Sequence, residues 1–298
     1  MRSALLILLA GMATSYGQPQ PRKSKVFISV DMEGVAGVVT ADQLFPTSFE
    51  YERFRRFMTQ EALAAVEGAR EAGATEIVVA DAHGNMQNLL IEQFPADVRI
   101  VRGEPRQLCM MGGLDKSFDA AMFVGYHAST HNARGVRAHT FSSARLTRVA
   151  LNGAPVTEGA WNAAIAGHFG VPVIFISGDD AAIAEVRAAI GNIESAETKR
   201  SMGFHAAMTL TPEAARSLIR TQSAAALRGL AARRPYLVTT PVTVDISFKS
   251  VTTAEAASYL ERVFTRTDSH SIRFTAKDMV EASDIVDFLM TYRVDLEP

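Results

Sequence analysis

The chain has 298 residues, enough to bury a hydrophobic core as one large domain or two ordinary ones without disulfide bonds. Its 30 lysines and arginines nearly balance its 32 aspartates and glutamates, and the net charge of -2 provides no basic field, so nucleic acid is not an expected partner. The single cysteine, Cys109, excludes an internal disulfide and every metal or redox site built on a cysteine pair.

The first 17 residues have the pattern of an export signal. Arg2 supplies a positive start, residues 4–12 form an apolar run, and Ser15 and Gly17 place small residues at a cleavage site. An N-terminal membrane anchor is the alternative, but the run is shorter than the roughly 20 apolar residues that span a bilayer. We expect a signal peptide over residues 1–17, a polar leader over 18–25, and a periplasmic or secreted protein without membrane attachment after cleavage.

Apolar, β-rich runs alternate with helical stretches from residue 26 onward, which is typical of a buried, mostly parallel sheet with flanking helices. The predicted strands are residues 26–30, 76–80, 120–125 and 172–177, and the predicted helices are 51–72 and 158–169. Segments 98–101 and 146–151 are predicted edge or hairpin strands, the second because the turn Asn152-Gly153 follows it. The predicted fold class is α/β, with a sheet that is mixed at its margin.

The composition becomes rich in alanine, arginine and serine after Gly178. Helices are predicted at residues 181–190, 212–231 and 254–264, and strands at 242–248 and 271–275. We therefore expect an α/β metal-binding catalytic domain over residues 26–194, followed by a smaller α+β domain over residues 195–298.

Acidic and imidazole side chains follow the predicted strands, at the sheet edge where α/β proteins bind ligands. Asp31 and Glu33 follow the first strand, His83 the second and His127 the third. Helix 158–169 should run antiparallel to the strands, so its first residue, Glu158, returns to the same edge. Each residue has a structural explanation, as a helix cap, a first-turn acid or an ordinary buried histidine. Their convergence on one edge favours a functional site.

The number of acidic groups indicates a metal site. Asp31 and Glu33 are two residues apart, so both carboxylates point to the same side of an extended chain. A divalent cation shared with His83 and His127 would remove their mutual repulsion. Three carboxylates and two histidines exceed the three protein ligands of an ordinary catalytic zinc ion, so two ions that share one carboxylate fit the count better.

Five motifs occur in an order that resembles the M55 metallopeptidases, the D-aminopeptidase family of zinc hydrolases. The motifs are Ser29-Val30-Asp31-Met32-Glu33-Gly34, Asp81-x-His83-Gly84 with Asn88, Gly125-Tyr126-His127-Ala128, His139, and Pro155-Val156-x-Glu158-Gly159 with Asn162. The resemblance extends through Gly178-Asp179-Asp180 to Lys199 and residues 274–279, and so covers most of the chain after residue 25.

The resemblance implies a dinuclear zinc centre. Asp31 would bridge the two ions, with Glu33 and His83 on one of them. His127 and Glu158 would bind the other ion.

The resemblance also assigns a role to His139, which matches the family's catalytic histidine outside the metal shell. Ala82 and Ala138 depart from the family pattern, because serines are common at both positions. These departures bear on substrate preference more than on the metals.

The function expected from the resemblance is a zinc-dependent aminopeptidase that removes N-terminal residues, D-amino acids above all, from short peptides or amino-acid amides. Its nucleophile would be a water activated by two zinc ions. His139 would stabilise the oxyanion or protonate the leaving amine. A zinc ion, or an acidic residue near the site such as Asp179 or Asp180, could receive the substrate amine, although a helix cap explains both aspartates equally well. Cys109 has no basic neighbour closer than Arg106, and we expect it to be a core residue.

Two other classes of function use similar features. A metal-dependent phosphoesterase could use the same ligands, but the sequence has neither a GxGxxG motif nor a P-loop to hold a phosphate. A non-catalytic exported binding protein would have no use for five converging metal ligands. His131 lies in a variable-looking loop, and we expect it to be exposed and unconnected with catalysis.

The family resemblance also favours a ring-like homo-oligomer. Residues 214–232 are rich in alanine, and we expect them to offer a helical surface that a monomer would leave partly exposed.

Overall fold

The computed structural model describes residues 24–292. The predicted signal peptide and the leader up to residue 23 lie outside the described residues. Within the described range no helix is long and apolar enough to cross a bilayer.

The described residues form two sheets and six α-helices. The strands are β1 (Ser24–Val30), β2 (Ala74–Asp81), β3 (Arg99–Val101), β4 (Ala120–Tyr126), β5 (Leu146–Leu151), β6 (Ala154–Pro155), β7 (Val173–Asp179), β8 (Glu194–Gly203), β9 (Ala206–Thr209), β10 (Val242–Phe248), β11 (Thr265–Arg266) and β12 (Ser271–Ala276). The helices are α1 (Tyr51–Glu71), α2 (Glu158–His168), α3 (Asp180–Ile190), α4 (Pro212–Arg228), α5 (Val251–Ser258) and α6 (Met279–Thr291).

The main sheet has seven strands in the order β3-β2-β1-β4-β7-β8-β9. All neighbouring pairs are parallel except β8 and β9, which are antiparallel. The central strands β1 and β4 are buried almost throughout, as expected for a sheet covered on both faces. The predicted α/β class, with a mostly parallel sheet and a smaller antiparallel unit, is confirmed.

The second sheet has five strands in the order β11-β12-β10-β5-β6, and its pairs are antiparallel. Strand β5 forms the predicted hairpin at Asn152-Gly153, but it pairs with β10 and not with the margin of the main sheet. The main sheet is mixed at its margin because of β9, in a segment for which no strand was predicted.

Sheet membership does not follow the predicted boundary at residue 195. Strands β8 and β9 extend the main sheet, and α4 packs on α1. The polar sequence of β8 gave no apolar run by which to recognise a strand. The smaller antiparallel unit instead combines β5 and β6 with the strands after residue 241.

The alanine-rich segment of residues 214–232 packs one face on α1, and the fit is so close that a Cβ on Gly68 would lie 2.2 Å from the Ser223 Oγ. Its other face is partly exposed, as predicted, with Ala214, Ala231 and Ala232 at the surface. The predicted helix at residues 254–264 is too long, because α5 ends at Ser258. Tyr259 and Leu260, which follow it, are exposed and have no buried face to extend the helix.

Candidate metal centre

The turn after β1 carries the first two acidic residues into the interior. Asp31 and Glu33 are 2% and 5% exposed. The backbone of this turn is hydrogen-bonded to the end of β4, through Asp31 N to Val124 O (2.8 Å) and Gly34 N to Gly125 O (2.7 Å). A Cβ on Gly34 would lie 2.1 Å from the Tyr126 carbonyl oxygen, so this close approach requires glycine.

His83 joins these two carboxylates from the turn after β2. Its Nδ1 lies 2.9 Å from Glu33 Oε2 and 3.3 Å from Asp31 Oδ1. Its Nε2 lies 3.0 Å from the Leu44 carbonyl oxygen, which can only accept a hydrogen bond, so the Nε2 carries a proton. Asp81 fixes the turn by accepting hydrogen bonds from Asn88 and from the Leu89 backbone. Asp31, Glu33 and His83 form one group suited to a metal ion.

A second group lies at the end of β4 and the start of α2. His127 Nε2 is 3.3 Å from Asp31 Oδ2 and 3.2 Å from Glu158 Oε2. His127 Nδ1 donates to the Ala128 carbonyl, 3.0 Å away. Glu158 comes directly after Thr157, whose hydroxyl caps α2 by accepting from Ala160 N at 2.8 Å. Helix α2 therefore begins at the carboxyl edge of the sheet, as its predicted direction required.

Asp31 connects the two groups. Its Oδ1 faces His83 and its Oδ2 faces His127, so the two oxygens of one carboxylate point to different histidines. The Oδ2 is buried and has no hydrogen-bond partner in the described structure. A buried carboxylate oxygen without a partner is costly, and a cation would satisfy it. The donors are imidazole nitrogens and carboxylate oxygens, which are the ligands of catalytic zinc. The residues present therefore fit zinc, and Asp31 lies between the two groups.

The electrostatics of the site show how strongly these groups interact. Burial, followed by the nearby Glu33, raises the pKa of Asp31 to about 7. Burial opposes the charged form of His127, but Glu158 and Asp31 outweigh it and raise its pKa to about 10. Likewise, Glu33 and Asp31 overcome burial and raise the pKa of His83 well above its usual value. Ligand histidines must be neutral, so zinc uptake displaces protons and weakens as the pH falls.

His139 differs from His83 and His127 in its contacts. Its ring stacks on that of His127, with centroids 4.0 Å apart, and its Nδ1 donates to the Arg137 carbonyl at 2.7 Å. Its Nε2 lies 3.8 Å from Glu158 Oε1, beyond hydrogen-bond distance. Burial and the neighbouring His127 lower the pKa of His139. The ring is therefore neutral near pH 7, with its Nε2 lone pair directed to the site. Its Nε2 also lies close enough to His127 and Glu158 to share a metal with them.

A family model for peptidase family M55, described as D-aminopeptidase, matches residues 24–288. The chain belongs to this family. It is 34% identical to the D-aminopeptidase of Bacillus subtilis strain 168 over 260 residues, which cover 87% of this chain and 93% of that protein. A similar solved structure is the Zn-dependent D-aminopeptidase DppA from Bacillus subtilis, described as a self-compartmentalizing protease. The TM-score is 0.85 at 31% identity, covering 92% of this chain and 100% of the other.

M55 membership confirms the resemblance, and the structure explains why several motif residues away from the metals are polar. Tyr126 OH donates to Ser29 Oγ at 2.8 Å and accepts from Asn162 Nδ2 at 3.0 Å. Ser29 in turn donates to the Met110 carbonyl, 3.0 Å away. This buried chain links β1, β4 and α2, the three elements that carry Asp31, His127 and Glu158.

The structure decides three smaller points left open by the M55 motifs. Both oxygens of Asp179 accept backbone hydrogen bonds, from Ala182 N and Val136 N at 2.7 Å each, so this residue caps α3. Asp180 accepts from Ser201 N at 2.8 Å. Cys109 packs against the core, and burial raises its pKa.

Two buried charged residues near the M55 site were missed as functional candidates. Lys199 is 1% exposed and donates to the carbonyl oxygens of Glu33, Val35 and Val38. Glu61, also 1% exposed, accepts from Ala36 N at 2.9 Å. Both hold the turn that carries Asp31 and Glu33. The signals in the sequence were the position of Lys199 within the M55 resemblance and, for Glu61, a glutamate on the largely apolar face of α1.

Proposed function

We propose that this protein is a zinc-dependent aminopeptidase that releases N-terminal residues, with D-amino acids preferred, from short peptides or amino-acid amides. The observation that carries the proposal is the carboxylate of Asp31, whose two oxygens face His83 and His127 across a buried site. The catalytic chemistry of its M55 relatives, described as Zn-dependent D-aminopeptidase, fits this donor set.

The five predicted ligands divide naturally between two ions. Glu33 and His83 would hold one, and His127 and Glu158 the other, with Asp31 shared. When bound, a zinc pair polarises a carbonyl and lowers the pKa of water towards neutrality. Hydrogen bonds to backbone carbonyls orient both histidine rings, leaving His83 Nδ1 and His127 Nε2 for the metals.

His139 would transfer a proton to the leaving amine. Its Nδ1 is committed to the Arg137 carbonyl, so the Nε2 is the atom that can take a proton and give it to the leaving amine. The lowered pKa keeps the ring neutral, and therefore able to accept that proton, near pH 7. Stacking on His127 fixes the plane of the ring. In this position His139 would act as an acid and a base and would not be a metal ligand.

Of the partners expected for the substrate amine, a zinc ion fits better than Asp179 or Asp180. Both oxygens of Asp179 accept backbone hydrogen bonds, and one oxygen of Asp180 accepts from the Ser201 backbone, so both carboxylates already hold local structure. The remaining partners are the carboxylates of Asp31, Glu33 and Glu158 and the zinc ions that they would hold, and a zinc ion would take the neutral amine. We propose that the amine is received at the metal centre itself.

Export and assembly complete the proposal. The pattern of residues 1–17 supports secretion to the periplasm or beyond. Assembly into a homo-oligomer is supported by the self-compartmentalizing character described for the Bacillus subtilis relative.

The test compares hydrolysis of paired D- and L-aminoacyl amides by purified protein. We expect faster release of ammonia from the D-amide, loss of activity after a chelator, and recovery when zinc is returned. Equal activity before and after complete removal of metal would contradict the proposal. Faster hydrolysis of the L-amide would still support an aminopeptidase but would reject the proposed preference for D-amino acids.

A further inference from the structure

The guanidinium of Arg137 is buried without an acidic partner. The residue is 9% exposed, and its Nε has no hydrogen-bond partner in the described structure. Its Nη1 donates to His205 Nε2 at 3.2 Å, and its Cζ lies 5.2 Å from the centre of the Phe204 ring. No carboxylate within residues 24–292 forms an ion pair with it. A buried charge without a counter-charge is destabilising, so this arrangement is suited to an anion supplied from outside the chain.

Arg137 lies at the edge of the sheet that carries the metal ligands. Its carbonyl accepts the hydrogen bond from His139 Nδ1, and its backbone N–H donates to the Phe204 carbonyl at 3.0 Å. Strand β8 is paired with the end of β7 at Lys199 and continues to Gly203. The turn between β8 and β9, with Phe204 and His205, therefore projects past the carboxyl edge and covers the guanidinium there.

The geometry favours a carboxylate as the anion. A guanidinium presents a planar fork of N–H donors that matches the two oxygens of a carboxylate. The Phe204 ring covers one face of that fork, His205 engages Nη1 and Nε is buried, which leaves Nη2 as the donor for the ligand to approach. The backbone of Arg137 is strained, with φ of +51°, a conformation that a residue with a side chain seldom adopts.

We propose that Arg137 binds the C-terminal carboxylate of a short peptide substrate. This inference rests on the proposed aminopeptidase function and narrows its substrate class. The carboxylate of a dipeptide lies within about 7 Å of the scissile carbonyl, since one residue spans roughly 3.5 Å. A side chain two positions from His139 can reach over the same distance. The enzyme should therefore favour short peptides with a free C-terminus over their amides.

The test uses a dipeptide of two D-alanine residues and the same dipeptide with an amidated C-terminus. Wild-type protein should cleave the free acid with the higher kcat/KM. Arg137→Gln should lower kcat/KM for the free acid at least about tenfold, mainly through KM, and leave the amide nearly unchanged. Arg137→Lys keeps the charge but loses the planar guanidinium. Its kcat/KM for the free acid should lie between those of the wild type and Arg137→Gln. Arg134→Gln, an exposed arginine in the same loop, is the matched control and should change neither substrate.

Three results would overturn the proposal. The first is a wild-type preference for the amide, which needs no variant to observe. The second is an equal loss on both substrates by Arg137→Gln at unchanged zinc content. The third is an Arg137→Gln protein that keeps the wild-type preference for the free acid but has a smaller particle mass in light scattering. That result would mean that Arg137 binds a carboxylate of a second copy of the chain and not that of the substrate. Failure of the wild type to cleave either peptide would instead reject the aminopeptidase function.

Discussion

The ammonium nitrogen of Lys199 lies 2.6 Å from the carbonyl oxygen of Val38, at the centre of the turn that carries the metal ligands. The carbonyls of Glu33 and Val35 accept from the same nitrogen. Thr198, the preceding residue, donates its hydroxyl to the Gly34 carbonyl at 2.6 Å. Strand β8 thus satisfies four carbonyls of a turn that has no regular secondary structure of its own. The position of Glu33 depends on a strand that is distant in sequence.

Replacing Lys199 with methionine should therefore weaken metal binding. The three carbonyls would lose their donor, and the turn that positions Glu33 would relax. We expect zinc affinity to fall roughly 10- to 100-fold, the usual effect of removing a group that orients a ligand. Competition with a chromophoric chelator measures the affinity, and Lys277→Met, at an exposed lysine, is the control. Wild-type affinity for both ions in a folded Lys199→Met protein would contradict this role.

Glu61 makes the stability of the protein depend on pH. Burial raises its pKa to about 7, against an opposing effect of Lys199, while the unfolded chain has the ordinary value near 4.5. The folded state therefore holds this proton more tightly, and stability falls as the pH rises from about 4.5 to about 7. The free energy of unfolding of Glu61→Gln should therefore increasingly exceed that of the wild type across that pH window, by up to roughly 3 kcal/mol.

Urea unfolding of both proteins at pH 5 and pH 8, with saturating zinc, measures this gain. Glu67→Gln, at a largely exposed position on the same helix, is the control and should show little change. A difference between Glu61→Gln and wild type that is the same at both pH values would refute the role of Glu61.

These two residues illustrate what could not be predicted from the sequence. Asp31, Glu33, His83, His127 and Glu158 follow or precede elements of clear apolar pattern, so sheet topology alone places them at one edge. Lys199 lies in β8, whose alternating polar residues gave no strand signal. Its role depends on the pairing of β8 with β7, a long-range contact that local pattern does not encode. The same gap explains why no further strand of the main sheet was predicted after residue 194.

Export predicts a specific N-terminus. If residues 1–17 are a cleaved signal, the mature protein begins near Gln18 and is recovered outside the cytoplasm. N-terminal sequencing of protein from the native host tests this directly. Intact Met1 on cytosolic protein would reject export.

Assembly is expected although α1 covers one face of the alanine-rich segment 214–232. Exposed apolar side chains elsewhere, such as Phe49 at 85% and Met202 at 74%, are consistent with contacts between copies. Light scattering at micromolar concentration should give a mass of several chains. A monomeric mass would exclude the oligomer.

The most direct test of the account is the zinc content per chain of three proteins prepared in parallel: wild type, Asp31→Ala and His139→Ala. The wild type should hold close to two ions. Asp31→Ala should hold almost none, because two cations would share too little negative charge. His139→Ala should retain nearly two ions while its kcat falls roughly 10²- to 10⁴-fold, the usual effect of losing an acid or base. Two ions retained by Asp31→Ala, or none by His139→Ala, would contradict a centre bridged by Asp31 with His139 outside it.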